Sequence, residues 1–159
     1  QSRFMAYDAI VHGARGILYW GTQTIDDPLF RESLYAMTSE LSQLEPFLVD
    51  AGQPVQVAVI DDLFDKPGLG VRGVLKKNRG DFLLILVNED DHRHLGVDVT
   101  QLEALNSRAL YLLYGDEKTV VRSGGIVTRM QPYEVKVFCT NPRFETKRTM
   151  GRDYVDAGK

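Results

Sequence analysis

RFMAYDAIVHGARGILYWG, residues 3–21, runs from a helical pattern through a tight turn into a strand pattern, and the segments after it read as its supports. Phe4, Tyr7 and Val11 recur at helical spacing. Met5, Ala6, Ala9, Ile10 and Gly13 form a second face of mostly small residues able to lie flat against a sheet. Gly13 and Gly16 bracket a short connection. Ile17, Leu18, Tyr19 and Trp20 are apolar on both faces, as a buried parallel strand requires. Gly21 ends that run, and a polar loop over 22–27 follows.

Downstream, Asp27-Pro28 is a good helix start, since Asp caps and Pro at the first helical position loses no needed hydrogen bond. Phe30, Leu34, Met37, Leu41, Leu44 and Leu48 then step by four and three, the stripe of an amphipathic helix laid on another element. Packing explains that Met and Leu stripe without any cofactor. Pro46 is expected to kink or end the regular helix, before Gly52 and Pro54 break the chain. From there the period becomes that of strands, expected over 55–60, 71–77, 81–88, 94–99, 109–114, 119–122, 126–130 and 133–140. Asn78-Arg79-Gly80 and Ser123-Gly124-Gly125 read as hairpin turns, with glycine supplying the left-handed residue. Residues 82–87 are apolar on both faces and belong centrally in a sheet, whereas Tyr133, Val135 and Val137 alternate with Glu134 and Lys136, which predicts one wet face. Thr100 and Glu103 suggest a capping box for one short helical turn. The organisation expected is therefore a helical part over 1–51, an antiparallel β-sandwich over 54–141 and an irregular polar tail over 142–159.

The helix, turn and strand of residues 3–21, with Tyr19-Trp20 at the strand's carboxyl end, resemble the last unit of the (β/α)8 barrel in glycoside hydrolases. The resemblance is close over 3–21, extends to the helix after it, and is architectural beyond. It implies an α+β fragment: the terminal βα unit of a TIM barrel, with the helix from Pro28 as the eighth barrel helix, followed by a small antiparallel β-sandwich. The parent enzyme would hydrolyse glycosidic bonds in a carbohydrate substrate. Its two catalytic carboxylates, at the ends of the fourth and seventh strands, would lie upstream of Gln1, so no catalytic residue is assigned in this chain. By the same resemblance Trp20 matches a tryptophan that floors the subsite at the cleavage point, where an indole stacks on the C–H face of a sugar ring. Gln23 and Asp26 are candidates for hydroxyl contacts, while Asp27 is better explained as a helix cap. The partners implied are the carbohydrate and the missing N-terminal barrel portion, with no cofactor and no metal.

At 159 residues the chain suffices for one good core, whereas a complete barrel takes about 250. A first residue other than Met, with a helix starting at once, is read as a piece whose upstream part lies elsewhere. Charged residues make up 26% and the net charge is -3, which carries no electrostatic footprint for nucleic acid or an anionic membrane. No apolar run approaches the roughly 18 residues of a membrane span. Cys139 is the single cysteine, so neither an internal disulfide nor a thiolate cluster forms, and its apolar strand predicts a buried, inert thiol.

Three patterns mimic chemistry. Residues 68–73, GLGVRG, spell a dinucleotide-binding GxGxxG, yet Pro67 precedes them and a strand-like VLKKN follows, where the real motif opens a helix. His92 and His94 would share one strand face but lack a third ligand, so a solvated charged turn is expected. His12 is placed to meet the negative end of the first helix dipole. A second functional class, a non-catalytic carbohydrate-binding or interaction module, should show aromatics spaced along an exposed sheet face. Phe82, Tyr111, Tyr114, Tyr133 and Phe138 instead fall within apolar strands, which favours a structural sandwich.

Overall fold

The structure is a computed structural model that describes residues 2–18, 26–60 and 70–144. Two helices, α1 (Ser2–Val11) and α2 (Pro28–Leu48), precede nine strands: β1 (Gln53–Pro54), β2 (Gln56–Val59), β3 (Val71–Asn78), β4 (Asp81–Asn88), β5 (Leu95–Thr100), β6 (Ala109–Leu112), β7 (Lys118–Val120), β8 (Ile126–Met130) and β9 (Val135–Cys139). The strands form a six-stranded antiparallel sheet in the order β1-β3-β4-β9-β6-β7 and a three-stranded antiparallel sheet in the order β2-β5-β8. The result is a small α+β fold, mostly antiparallel sheet, with two helices.

Strand β4 organises the layers. Leu84 and Leu86 point into a core shared with Leu95, Val97 and Val99 of β5 and with Ile126 and Met130 of β8, which holds the two sheets together. Leu83, Ile85 and Val87 point the other way, into a second core with Tyr7 and Ile10 of α1 and Leu44 and Phe47 of α2. All five β4 side chains are sealed from solvent. The run apolar on both faces therefore does sit inside a sheet, paired on both edges with β3 and β9. A smaller cluster of Ala6, Leu34 and Met37 joins the helices to each other.

Several local expectations are corrected. Ile17 and Leu18, the described part of the run expected as a strand, have no strand pairing, and Leu18 is 85% exposed; Tyr19 and Trp20 lie outside the described residues. A strand exists only where a neighbour supplies hydrogen bonds, and among the described residues none lies alongside. Pro46 does not end α2, which continues to Leu48; so near the C-terminus the missing N–H and the ring disturb little of the helix. On α1 the buried side chains are Ser2, Ala6, Tyr7 and Ile10, while Met5 is 65% exposed, so the buried face cuts across both sequence-based faces.

In the turn between β3 and β4 the left-handed residue is Arg79 (φ 54), not Gly80. In the later turn Ser123 (φ 49) and Gly124 (φ 73) are both left-handed, the geometry of a type I′ hairpin closed by Arg122 and Gly125. The suggested capping box does not form: Thr100 ends β5, and the 3-10 turn Glu103–Leu105 has no side-chain cap. Tyr133 lies in the turn before β9 with φ 55, and β9 is buried along its whole length, Lys136 included, so the expected wet face is absent. Of the tail, the 3-10 turn Pro142–Phe144 folds back and sets Phe144 edge-on to Phe47 with ring centroids 5.3 Å apart.

Because β4 belongs to both cores, truncating either of its faces should weaken the whole fold. Ile85→Ala and Leu84→Ala should each lower stability by about 2–5 kcal/mol. In urea, tryptophan fluorescence and far-ultraviolet circular dichroism should give one coincident transition for each variant. Separate transitions would mean that the helices and sheets do not share a cooperative core.

Candidate functional site

Of the residues expected to meet a sugar, Trp20 and Gln23 lie outside the described residues, and Asp26 is exposed just ahead of α2. Its neighbour Asp27 caps α2: one carboxylate oxygen accepts from the N–H groups of Leu29 (2.9 Å) and Phe30 (3.4 Å), leaving it a structural task. Beside the start of the expected strand lies an open groove of about 430 Å³ between the end of α1, the turn after it and α2. Ile10, Ile17, Leu41 and Leu48 give it an apolar wall, with Arg15 and Glu45 as polar groups. Among its described lining residues Glu45 is the single carboxylate, so they hold no facing pair of the kind glycoside hydrolysis uses.

Two polar clusters flank α1. In the first, Glu40 of α2 is almost fully buried and receives Arg3 through Nε (3.1 Å) and Nη2 (2.9 Å), while the Tyr7 hydroxyl donates to Glu40 Oε1 at 2.6 Å. Arg3 also donates through Nη1 to the Val135 carbonyl at 2.9 Å and stacks over the Tyr7 ring, so one guanidinium ties both helices to β9. Burial, then the charge and hydrogen bond of Glu40, push the Tyr7 phenol well above its ordinary value. Burial alone would pull Arg3 down, but the hydrogen bond and charge of Glu40 outweigh it, and the guanidinium is raised. A sequence signal for this cluster existed: Glu40 stands three residues after Met37 and four before Leu44, inside the apolar stripe.

In the second cluster His12, one turn after Asp8, meets Glu89, the residue directly after β4. His12 Nε2 lies 2.8 Å from Glu89 Oε1 and 3.8 Å from Asp8 Oδ1, and Arg72 Nε of β3 lies 2.8 Å from the same Glu89 oxygen. A carboxylate only accepts, so Nε2 carries the proton in this contact. The position of His12 at the helix C-terminus was legible in the sequence; its partner Glu89, 77 residues away, was not.

The other patterns resolve into structure. Gly73 lies within β3, where an added Cβ would meet Val55 Cγ2 at 2.5 Å and Leu86 Cδ2 at 2.7 Å; the described part of the run, 70–73, leads into a strand and not into a helix, while Gly68 and Leu69 lie outside the described residues. His92 and His94 are exposed in the turn ahead of β5, where the Asp90 carboxylate accepts from the N–H groups of His92 (2.9 Å) and Arg93 (2.8 Å). Buried Lys136 donates to Glu117 (2.7 Å) and to Thr128 of the smaller sheet (3.0 Å), a polar staple between the sheets. Burial pushes the Cys139 thiol up to about 11, in keeping with an inert thiol. Among the described residues the exposed aromatics are Phe30 and Tyr35 on α2 and Tyr133 in a turn, so no described sheet face presents the aromatic row of a sugar-binding module. No helix among them is long and apolar enough to cross a membrane.

Comparison with known protein families finds no match, and neither does comparison with curated proteins. Among solved structures, the chain is similar to a variant of AmyP in complex with maltotriose, at 17% identity and TM-score 0.51, over 77% of this chain and 24% of that one. It is likewise similar to AmyP in complex with maltose, at 18% identity and TM-score 0.52, over 84% of this chain and 24% of that one. At such identities the likeness is one of fold, and this chain spans about a quarter of the length of those structures.

Glu40 is predicted to matter for stability. Glu40→Ala leaves Arg3 buried without its partner and should lower stability by about 3–5 kcal/mol in urea unfolding. The raised Tyr7 phenol adds a signature in pH. The neutral form is the one the fold favours, so its stabilisation is fully present below the ordinary tyrosine range near pH 10 and is lost as pH rises through the higher folded value. In an ultraviolet titration of the seven tyrosines, one should ionise late, and Tyr7→Phe should remove that late step.

Proposed function

We propose that this chain is the C-terminal part of a glycoside hydrolase, in which residues 1–51 complete a TIM barrel as its last helix, strand and helix and residues 54–141 form an appended β-sandwich. The observation that carries the reading is the fold it shares with AmyP, a glycoside hydrolase solved with maltose and with maltotriose, over most of this chain and only 24% of that one. A shared fold over so small a share of the longer chain is what this reading expects of a terminal portion. Residues 3–21 support the same reading through their resemblance to the close of a hydrolase barrel.

The helical layer fits this arrangement. Its inner face is buried against the larger sheet, yet Met5, Leu18, Leu29 and Val49 are each at least 65% exposed, an apolar surface suited to the upstream barrel portion. In this reading the two catalytic carboxylates come from the upstream chain, and the fragment alone is inactive. Trp20 supplies the floor beneath the sugar at the cleavage point, while Gln23 and Asp26 meet its hydroxyls. A stacked indole fixes the ring between acid and nucleophile, and orientation of that kind contributes a large share of the acceleration.

The test uses the intact parent. Trp20→Ala should reduce kcat/KM by on the order of 10²-fold, with partial recovery in Trp20→Phe, whereas this chain alone should leave maltotriose uncleaved. Unchanged turnover at both low and saturating substrate, with only a lower Tm, would show that the indole is a plug and not a platform. A parent without glycosidase activity would overturn the whole reading.

A further inference from the structure

We infer that Asp8, His12 and Glu89 form a binding site for a single divalent transition-metal ion, with zinc as the best-fitting occupant. The site is independent of the sugar-binding reading and joins α1 to the end of β4. One carboxylate oxygen from Asp8, one from Glu89 and a ring nitrogen of His12 all lie within 4.8 Å of one another. Ligands of one tetrahedral zinc ion at about 2.1 Å stand roughly 3.4 Å apart, and the contacts of 2.8 and 3.8 Å made by His12 Nε2 bracket that spacing.

The second observation is an orphan. The Asp8 side chain is about one-third exposed, but its Oδ1 is shielded from solvent and accepts no hydrogen bond; the nearest polar group is His12 Nε2 at 3.8 Å. A shielded carboxylate oxygen whose nearest partner lies beyond hydrogen-bond distance is poorly satisfied, and native structures leave few such atoms. A cation between Asp8 and Glu89 supplies the missing partner.

The donor set narrows the ion. One imidazole and two carboxylates suit a borderline ion such as Zn²⁺ over soft Cu⁺, which seeks sulfur, and over Ca²⁺, which seeks six or more oxygens. Arg72 Nε holds Glu89 through Oε1, the oxygen that also meets His12, and so fixes where the carboxylate sits. His12 is half exposed, so water has a path to the remaining coordination position. On binding, the imidazole proton moves from Nε2 to Nδ1 by way of solvent, which frees the Nε2 lone pair for the ion, and Glu89 exchanges a hydrogen bond for a metal bond.

The experiment is calorimetric titration of chelator-treated full chain with ZnCl₂ at neutral pH. One ion per chain should bind with Kd below about 10 µM and raise Tm. Asp8→Asn, at a partly exposed helical position, should weaken binding at least tenfold without unfolding the chain, and Glu89→Gln should do the same if it folds. His92→Ala, which removes the one other histidine grouped with acidic residues among the described residues, should leave the affinity unchanged. Binding weaker than about 100 µM would reduce the cluster to an ion-pair network and overturn the site. Tight binding insensitive to Asp8→Asn, or lost in His92→Ala, would place the ion elsewhere and overturn it equally.

Discussion

A β-strand has two faces, and in β4 both are apolar, so it must be covered on both sides at once. Leu84 and Leu86 require the smaller sheet; Leu83, Ile85 and Val87 require the helices. The three layers follow from that requirement. The six-stranded sheet becomes a central layer, and its pairing with β3 and β9 on either edge leaves β4 no exposed hydrogen-bonding groups. The helices cannot be removed without exposing one complete face of the strand to water.

Charged groups are buried in this fold only where partners compensate them. Glu40 has Arg3 and Tyr7, Lys136 has Glu117 and Thr128, and Glu89 has His12 and Arg72. Each cluster joins two or more layers: Arg3 reaches from α1 to α2 and to the β9 backbone, and Lys136 reaches from the larger sheet to the smaller. Apolar contact supplies most of the attraction between layers but little direction. The hydrogen-bonded charges fix how the layers are set, since a shift leaves a buried charge unpaired. Asp8 Oδ1 stands apart from this pattern, which is why it draws attention as a ligand.

The helical layer is asymmetric. One side is committed to the sheet, while Met5, Leu18, Leu29 and Val49 are exposed and an open groove lies between the end of α1 and α2. Exposed apolar side chains of this kind suit a covering partner, which is what the proposed function supplies. The function proposed for the chain thus depends on how it joins a larger body.

By itself the sequence determined where local patterns are self-sufficient. The α2 start at Asp27-Pro28, the limits of β4 and β8, and the Ser123-Gly124 turn rest on capping, two-residue alternation and turn geometry, all set by near neighbours. Tertiary structure alone decided the rest. Lys136 reads as solvent-facing until Glu117 and Thr128 close over it, and the alternation that predicts a wet face records polarity, not the arrival of a partner. Ile17 and Leu18 read as a strand, yet a strand needs a neighbour to complete its hydrogen bonds, and no described strand pairs with them. His12 and Glu89 are 77 residues apart, and no local rule connects them. They meet because β4 is covered by α1, and that covering depends on the apolar side chains of several elements together, which no single stretch encodes.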